Sequence, residues 1–433
     1  MMENMNLYIV VGVLIFMIIM FLLQKATYGV TAMTSVAILV LTGVLDFTTA
    51  FSGIINKNTI LVATVMVVGN AIGKTSVTRK IKAGINHLKG KSGLILMLAM
   101  FGFTILLCQV MGQVAVLTIM FVFVQTLDDD GEVCSSRMLY LIVAMLCAWT
   151  GRFPVGMGAA LPMQANAYYE GMVTDPAQTL GMFDMTKVAI IPALALTVYS
   201  LFAWRLLPKT TLDSSAVKTN QSAQKEETSI SGFQEFIVFA VFFAVVIGFL
   251  FSDLLGNQAY MISVVGVLLI IYTKTMKREE VVEIMTSDMV WMIAGMLAMS
   301  SALSSSGAGE AIGNFVLNIL GENPSGLKVL TVFGITTVVM TTFLSNTGSM
   351  AVLTPIAAST ALAGGMDPRA VVLVVNVASW FALAFPTGCA AGTMVYAIGK
   401  YDPIKLLKFN IPYLIIAVAT LIFSTNLFFP VYG

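Results

Sequence analysis

The chain has 433 residues, of which 58% are hydrophobic and only 10% charged, and its formal net charge is +1. A soluble domain carries about 25% charged residues, so this composition cannot wet a globular surface, and the near-neutral balance gives no pull on nucleic acid. What remains is a polytopic membrane protein, with which a mean hydropathy of +0.92 agrees.

Ten hydrophobic runs read as full crossings. Asn6–Leu23 comes first. It follows Glu3 rather than a basic cluster and has no small-residue cleavage site, so it reads as a retained span and not a signal peptide. Tyr28–Leu45 and Thr59–Gly73 follow, and then the basic loop Lys74–Lys91. That loop holds the only histidine, His87, which leaves none in the spans for a triad or a metal site. The next apolar stretch, Gly93–Leu127, is too long for one crossing and awkward for two. Cys108-Gln109-Val110-Met111-Gly112-Gln113 lies at its middle. The spacing predicts a re-entrant hairpin with its tip at mid-membrane; two short spans are the alternative. Met138–Gln164 is a span broken by glycine and proline over Thr150–Gly158, and Lys187–Leu207 closes the first half.

Residues 208–232 are polar and low in complexity, and read as a cytoplasmic linker. Beyond it come Phe233–Leu255, Ala259–Thr273 and Met289–Leu303. A second hairpin, residues 326–361, carries Ser345-Asn346-Thr347-Gly348-Ser349 at its middle. The span Ala370–Ala397 is broken at Phe385-Pro386-Thr387-Gly388-Cys389, and Asn410–Pro430 is last.

The halves, residues 1–207 and 233–433, repeat one another. Ala115-Val116-Leu117-Thr118 matches Ala351-Val352-Leu353-Thr354. Trp149 and Phe153-Pro154-Val155-Gly156 match Trp380 and Phe385-Pro386-Thr387-Gly388. Each half has an odd number of crossings and one hairpin, so the second starts on the opposite face. Two inverted repeats with broken helices are a transporter pattern. Charge agrees: apart from Arg152 inside the membrane, Lys57, Lys187, Lys328 and Arg369 lie on one face and the other 18 of 23 basic residues on the other. The richer face is cytoplasmic. Both termini are then extracytoplasmic, in the inner or plasma membrane of a cell.

A proline in a span removes a donor and frees a carbonyl, and glycine lets the backbone turn. Freed carbonyls at mid-membrane suit a hard cation such as Na⁺, and helix N-termini beside them suit an anion. Ser345-Asn346-Thr347 supplies short polar side chains at one tip. Gln109 and Gln113 offer side-chain oxygen at the other, and Gly156 a carbonyl. Arg152 is the one charge placed deep in the membrane. Either a bound anion balances it, or its guanidinium replaces a cation at a weakened first-half site, or it is structural and bonded to carbonyls. All 22 acidic residues map to loops or span ends, which favours anion transport over sodium–proton exchange. The spans offer no Ser–His pair, paired Asp or HExxH, so an enzyme is not expected. An uncoupled exchanger or channel is the rival reading. The four cysteines show no pairing or metal spacing.

The stretch FLSNTGSMAVLTPIA, with PTGCAAGTMVYAIGKYDPIKLLKFN after it, resembles the divalent anion:sodium symporter (DASS, SLC13-like) family of the ion transporter superfamily. The resemblance implies an elevator-type carrier with scaffold and transport domains, as a homodimer, taking up dicarboxylates, tricarboxylates or sulfate with Na⁺. By position it implies a second sodium site at Thr341, Ser345, Asn346 and Gly388. It also implies substrate contacts at Asn346 and Thr347, beside Ser345, Thr387 and Cys389. Cys389 stands where relatives usually carry Thr before Pro-Pro. In the first half, Gln109-Val110-Met111 replaces a second Ser-Asn-Thr, and Val110 and Met111 have no ligand oxygen to offer.

Overall fold

The computed structural model describes residues 2–23, 25–76, 93–125, 127, 134–212, 230–251, 255–321, 324–385 and 388–432. Among these it is all helix and connection. With no water in a bilayer core, backbone groups must pair within their own segment, and a helix achieves this. The first half runs α1 (Met2–Leu23), α2 (Tyr28–Leu41), α3 (Phe47–Phe51), α4 (Lys57–Gly73), α5 (Gly93–Val110), α6 (Gln113–Val124), α7 (Ser135–Trp149), α8 (Met157–Tyr169) and α9 (Asp184–Ala203). The second runs α10 (Gly232–Leu250), α11 (Asn257–Tyr272), α12 (Arg278–Met285), α13 (Asp288–Ser305), α14 (Ala308–Leu320), α15 (Gly326–Phe343), α16 (Asn346–Ala363), α17 (Pro368–Ala378), α18 (Ala390–Gly399) and α19 (Pro403–Phe428).

Among the described residues, six helical stretches, Met5–Leu23 and Pro403–Phe428 among them, are long and apolar enough to cross a membrane. Large apolar side chains such as Phe202, Phe236, Tyr272, Phe315 and Ile415 face outward. A soluble monomer does not expose so much apolar surface, and lipid covers it here. The chain is an all-α, multi-pass membrane protein.

Local chemistry sets the helix boundaries. Asp367 and Asp402 cap α17 and α19 through backbone N–H groups of Arg369 and Ile404, with Pro368 and Pro403 at the first helical turn, where a missing N–H costs nothing. The stretch 93–127 breaks at Met111-Gly112, and the stretch 326–361 at Leu344-Ser345. The arms α5, α15 and α16 have 18 residues each and α6 has 12. Eighteen residues span about 27 Å, so α15 by itself is long enough to cross. The sequence reading had no counterpart for α14. Its 13 residues are amphipathic and too short to read as a span, and they pack along α16.

The same pairings occur in both halves. α5 and α6 pack on α7, as α15 and α16 pack on α17; α7 packs on α9, as α17 does on α19; α1 meets α2, as α10 meets α11. The halves join where α2 packs on α13, α4 on α11, and α9 on α19. Within the first half, Glu170 accepts hydrogen bonds from the amides of Asn56 and Asn58, both at 2.6 Å. Residues 213–229 of the linker, most of the basic loop and Asp128-Asp129-Asp130 lie outside the described residues.

Candidate functional site

In the second half, the tip between α15 and α16 meets the break between α17 and α18. Leu344 is extended, and Ser345 caps α16 by accepting from Gly348 N at 3.1 Å. This turn delivers Asn346, buried, onto two carbonyls of the broken span. Its side-chain amide lies 3.1 Å from both Ser379 O and Gly388 O, and donates to both when its nitrogen faces them. Thr341, in the last turn of α15, donates from Oγ1 to Ser379 O at 2.6 Å and stands 3.3 Å from the same end of the Asn346 amide. If the amide turns over, Asn346 Oδ1 joins Thr341 Oγ1, Ser379 O and Gly388 O in one cluster of neutral oxygens. Gly388 has to be glycine: a Cβ there would sit 2.9 Å from Thr341 O.

The rest of that break is held from across the molecule. Asn410 Nδ2, on α19, donates to Leu383 O at 3.1 Å and Ala384 O at 3.3 Å. Its Oδ1 accepts from Tyr140 OH, on α7, at 2.9 Å. Tyr396 OH donates to Ala384 O at 3.3 Å. Carbonyls freed by the break thus find donors, as buried backbone groups must. Ser379 O and Gly388 O face the tip.

In the first half the tip is closed by Gln109. Its Nε2 donates to Trp149 O at 2.9 Å, and its Oε1 accepts from Phe153 N at 3.3 Å. Gly156 lies against this tip with φ +56, and a Cβ there would approach Gln109 O to 2.7 Å, so both conformation and space demand glycine. Gln113 Nε2 reaches Thr150 Oγ1 at 3.3 Å and Leu146 O at 3.4 Å. Arg152 is fully buried in the break between α7 and α8. Nε donates to Ala148 O at 2.8 Å and Nη2 to Cys147 O at 3.3 Å, while Nη1 has no partner. The guanidinium lies 5.5 Å from the centre of the Phe381 ring, at the other break.

Thr341, Asn346 and Gly388 are therefore brought together, and so are Gln109 and Gly156. Ser345 is turned away: its Oγ donates to Tyr28 OH at 2.8 Å, which engages it outside the oxygen cluster. Thr347 is half-buried beside the tip. Cys389 caps α18 by accepting from Gly392 N at 3.3 Å. Thr387 lies outside the described residues. The sequence reading missed Ser379, which acts through its carbonyl and so leaves no trace in residue type. It also missed Tyr28, Tyr140 and Asn410. Of these, Asn410 gave a signal, an amide within an apolar run. No cluster of His, Cys, Asp or Glu that could hold a metal ion occurs among the described residues.

The family model for citrate transporters (CitMHS) matches residues 18–378 of this chain. An uncharacterized transporter of Synechocystis is 29% identical over 136 residues, 31% of this chain and 22% of that protein. The uncharacterized transporter YfbS of Escherichia coli is 27% identical over 139 residues, 32% of this chain and 23% of that protein. The matched segments thus cover under a quarter of the length of these relatives. Among solved structures, the YdaH transporter of Alcanivorax borkumensis has a similar fold, with a TM-score of 0.57 at 12% identity, over 88% of this chain and 87% of that one.

Proposed function

The chain belongs to the citrate transporter family, and on that premise we propose that it is a sodium-coupled carrier of a small polycarboxylate such as citrate. The observation that carries this reading is the position of Asn346, whose amide meets Ser379 O, Gly388 O and Thr341 Oγ1 where a hairpin tip docks on a broken span. With its oxygen turned inward, this cluster is a set of neutral ligands suited to Na⁺. Unwound carbonyls beside helix ends bind sodium in other carriers. Ser345, Gln113 and the Gly156 carbonyl are outer members of the ion-binding region. The anion lies between the two tips, near Asn346, Thr347, Ser345, Gln109, Thr387 and Cys389. Arg152 supplies positive potential to it, as the one buried side chain whose charge no neighbouring carboxylate offsets among the described residues. An elevator movement of the tips and broken spans against the remaining helices, in a homodimer in the inner or plasma membrane, would carry the anion across.

A thermal-stability screen tests the reading. A ligand that binds only the native state at 100 times its Kd adds about 2.7 kcal/mol. Citrate, succinate, sulfate and chloride are compared in sodium chloride and choline chloride. Citrate should raise the midpoint in sodium and not in choline. Stabilisation by sulfate alone would move the substrate to inorganic oxyanions, and no response to any anion in either salt would refute the reading.

The recurrence of helix pairings and the charge bias together support an inverted repeat with a cytoplasmic linker. The four native cysteines are buried, so cysteines introduced at Ser215 and Asn257 can be labelled selectively. They should react from opposite faces of the membrane, and reaction from one face would rule the inversion out.

A further inference from the structure

We infer that the Arg152 guanidinium is a built-in cation: it occupies the first-half position corresponding to the sodium site of the second half, so that this chain exchanges sodium at one tip only. The inference rests on the cation site proposed at Asn346.

The matched tryptophans set the correspondence. Ser379 immediately precedes Trp380, and Ala148 immediately precedes Trp149. Ser379 O is the carbonyl on which Thr341 and Asn346 converge. Ala148 O, its counterpart, accepts from Arg152 Nε at 2.8 Å, and the carbonyl before it, Cys147 O, accepts from Nη2 at 3.3 Å. The carbonyl that faces the proposed ion in one half faces a side-chain cation in the other.

Three differences between the halves act together. By the hairpin match, Ile105 stands where Thr341 stands, and Val110 where Asn346 stands. Both side-chain oxygens of the second-half cluster are thus lost in the first. Arg152 corresponds to the Leu383-Ala384 region of the second break, which carries no charge. A site that lost its ligands alone would leave Ala148 O facing an apolar pocket without a donor. A fixed guanidinium supplies the donors and the charge at once. It cannot leave, so the site no longer contributes to coupling. The remaining donor, Nη1, is unpartnered although buried, as a group offered to a bound anion would be.

The test uses sodium itself as the probe, on purified full-length protein, and reads thermal stabilisation across a sodium series at constant ionic strength with choline. At high sodium, stability plotted against ln[Na⁺] should rise with a slope of about 1 in units of RT for wild type, one ion per chain, and for Arg152→Ser, which adds an oxygen where the cation was, with a slope of about 2. Arg152→Lys keeps the charge and should keep the wild-type slope. If Arg152→Ser is too unstable to purify in choline, recovery of folded protein in sodium counts for the inference, and equal failure in both salts counts against it. A slope of about 2 in wild type overturns it. So does an Arg152→Ser response identical to wild type. If wild type shows no response to sodium, the proposed site at Asn346 fails. Arg152→Ser then decides the inference separately, by gaining a sodium response or failing to gain one.

Discussion

Asn346→Ala is expected to weaken sodium binding by roughly 10- to 150-fold, because an interaction with a charged partner contributes about 1.5–3 kcal/mol. The substitution removes the only side-chain amide at the second tip, and Ala offers no replacement oxygen. Stability in choline should fall by about 1–3 kcal/mol, since Gly388 O loses its Asn346 donor while Thr341 Oγ1 still engages Ser379 O at 2.6 Å. The midpoint of sodium-dependent stabilisation reads the effect directly. An unchanged midpoint would remove Asn346 from the ion site. Gln109→Ala in the first half should leave that midpoint near wild type, because the ligand it removes bonds Trp149 O and Phe153 N rather than an exchangeable ion.

A loss of stability is also expected from Asn410→Leu. Leucine keeps the volume but leaves Leu383 O and Ala384 O without the Asn410 donor, and Tyr140 OH without its acceptor at 2.9 Å. Stranding a buried polar group costs about 1–3 kcal/mol. Interhelical hydrogen bonds in membranes average nearer 0.6 kcal/mol in double-mutant cycles, where both partners are removed. The loss is therefore expected toward the lower end of that range, because Leu383 O keeps Tyr140 OH at 3.2 Å and Ala384 O keeps Tyr396 OH at 3.3 Å. Tyr140→Phe, which removes a hydroxyl and strands less, should lower the thermal midpoint by a smaller amount. Equal midpoints for Asn410→Leu and wild type would show that water or a shifted neighbour satisfies the break.

Hydrophobic run length was enough to place most helices, because an apolar run in a membrane has few alternatives to a helix. The breaks were legible too. Pro154 and Gly156, and Pro386 and Gly388, each mark a place where a backbone ladder cannot continue. The turns between α5 and α6 and between α15 and α16 coincide with polar clusters inside apolar stretches. What could not be read was carried by the backbone or by distant contacts. Ser379 contributes a carbonyl that any residue possesses. Tyr28 meets Ser345 from 317 positions away, and no local pattern encodes that meeting. Arg152 is conspicuous as a charge in a span, but no sequence pattern shows that its donors lie on Ala148 O and Cys147 O. The helix α14 escaped because 13 amphipathic residues look like an interfacial loop segment when only spans are sought.

Uptake of labelled citrate into proteoliposomes is the most direct test of the proposed activity. Wild type and Asn346→Ala are compared under an inward sodium gradient and under choline. The account predicts saturable uptake by wild type that requires sodium and is lost in Asn346→Ala. Uptake by wild type that is equal in the two salts, or uptake by Asn346→Ala at the wild-type rate, would contradict it.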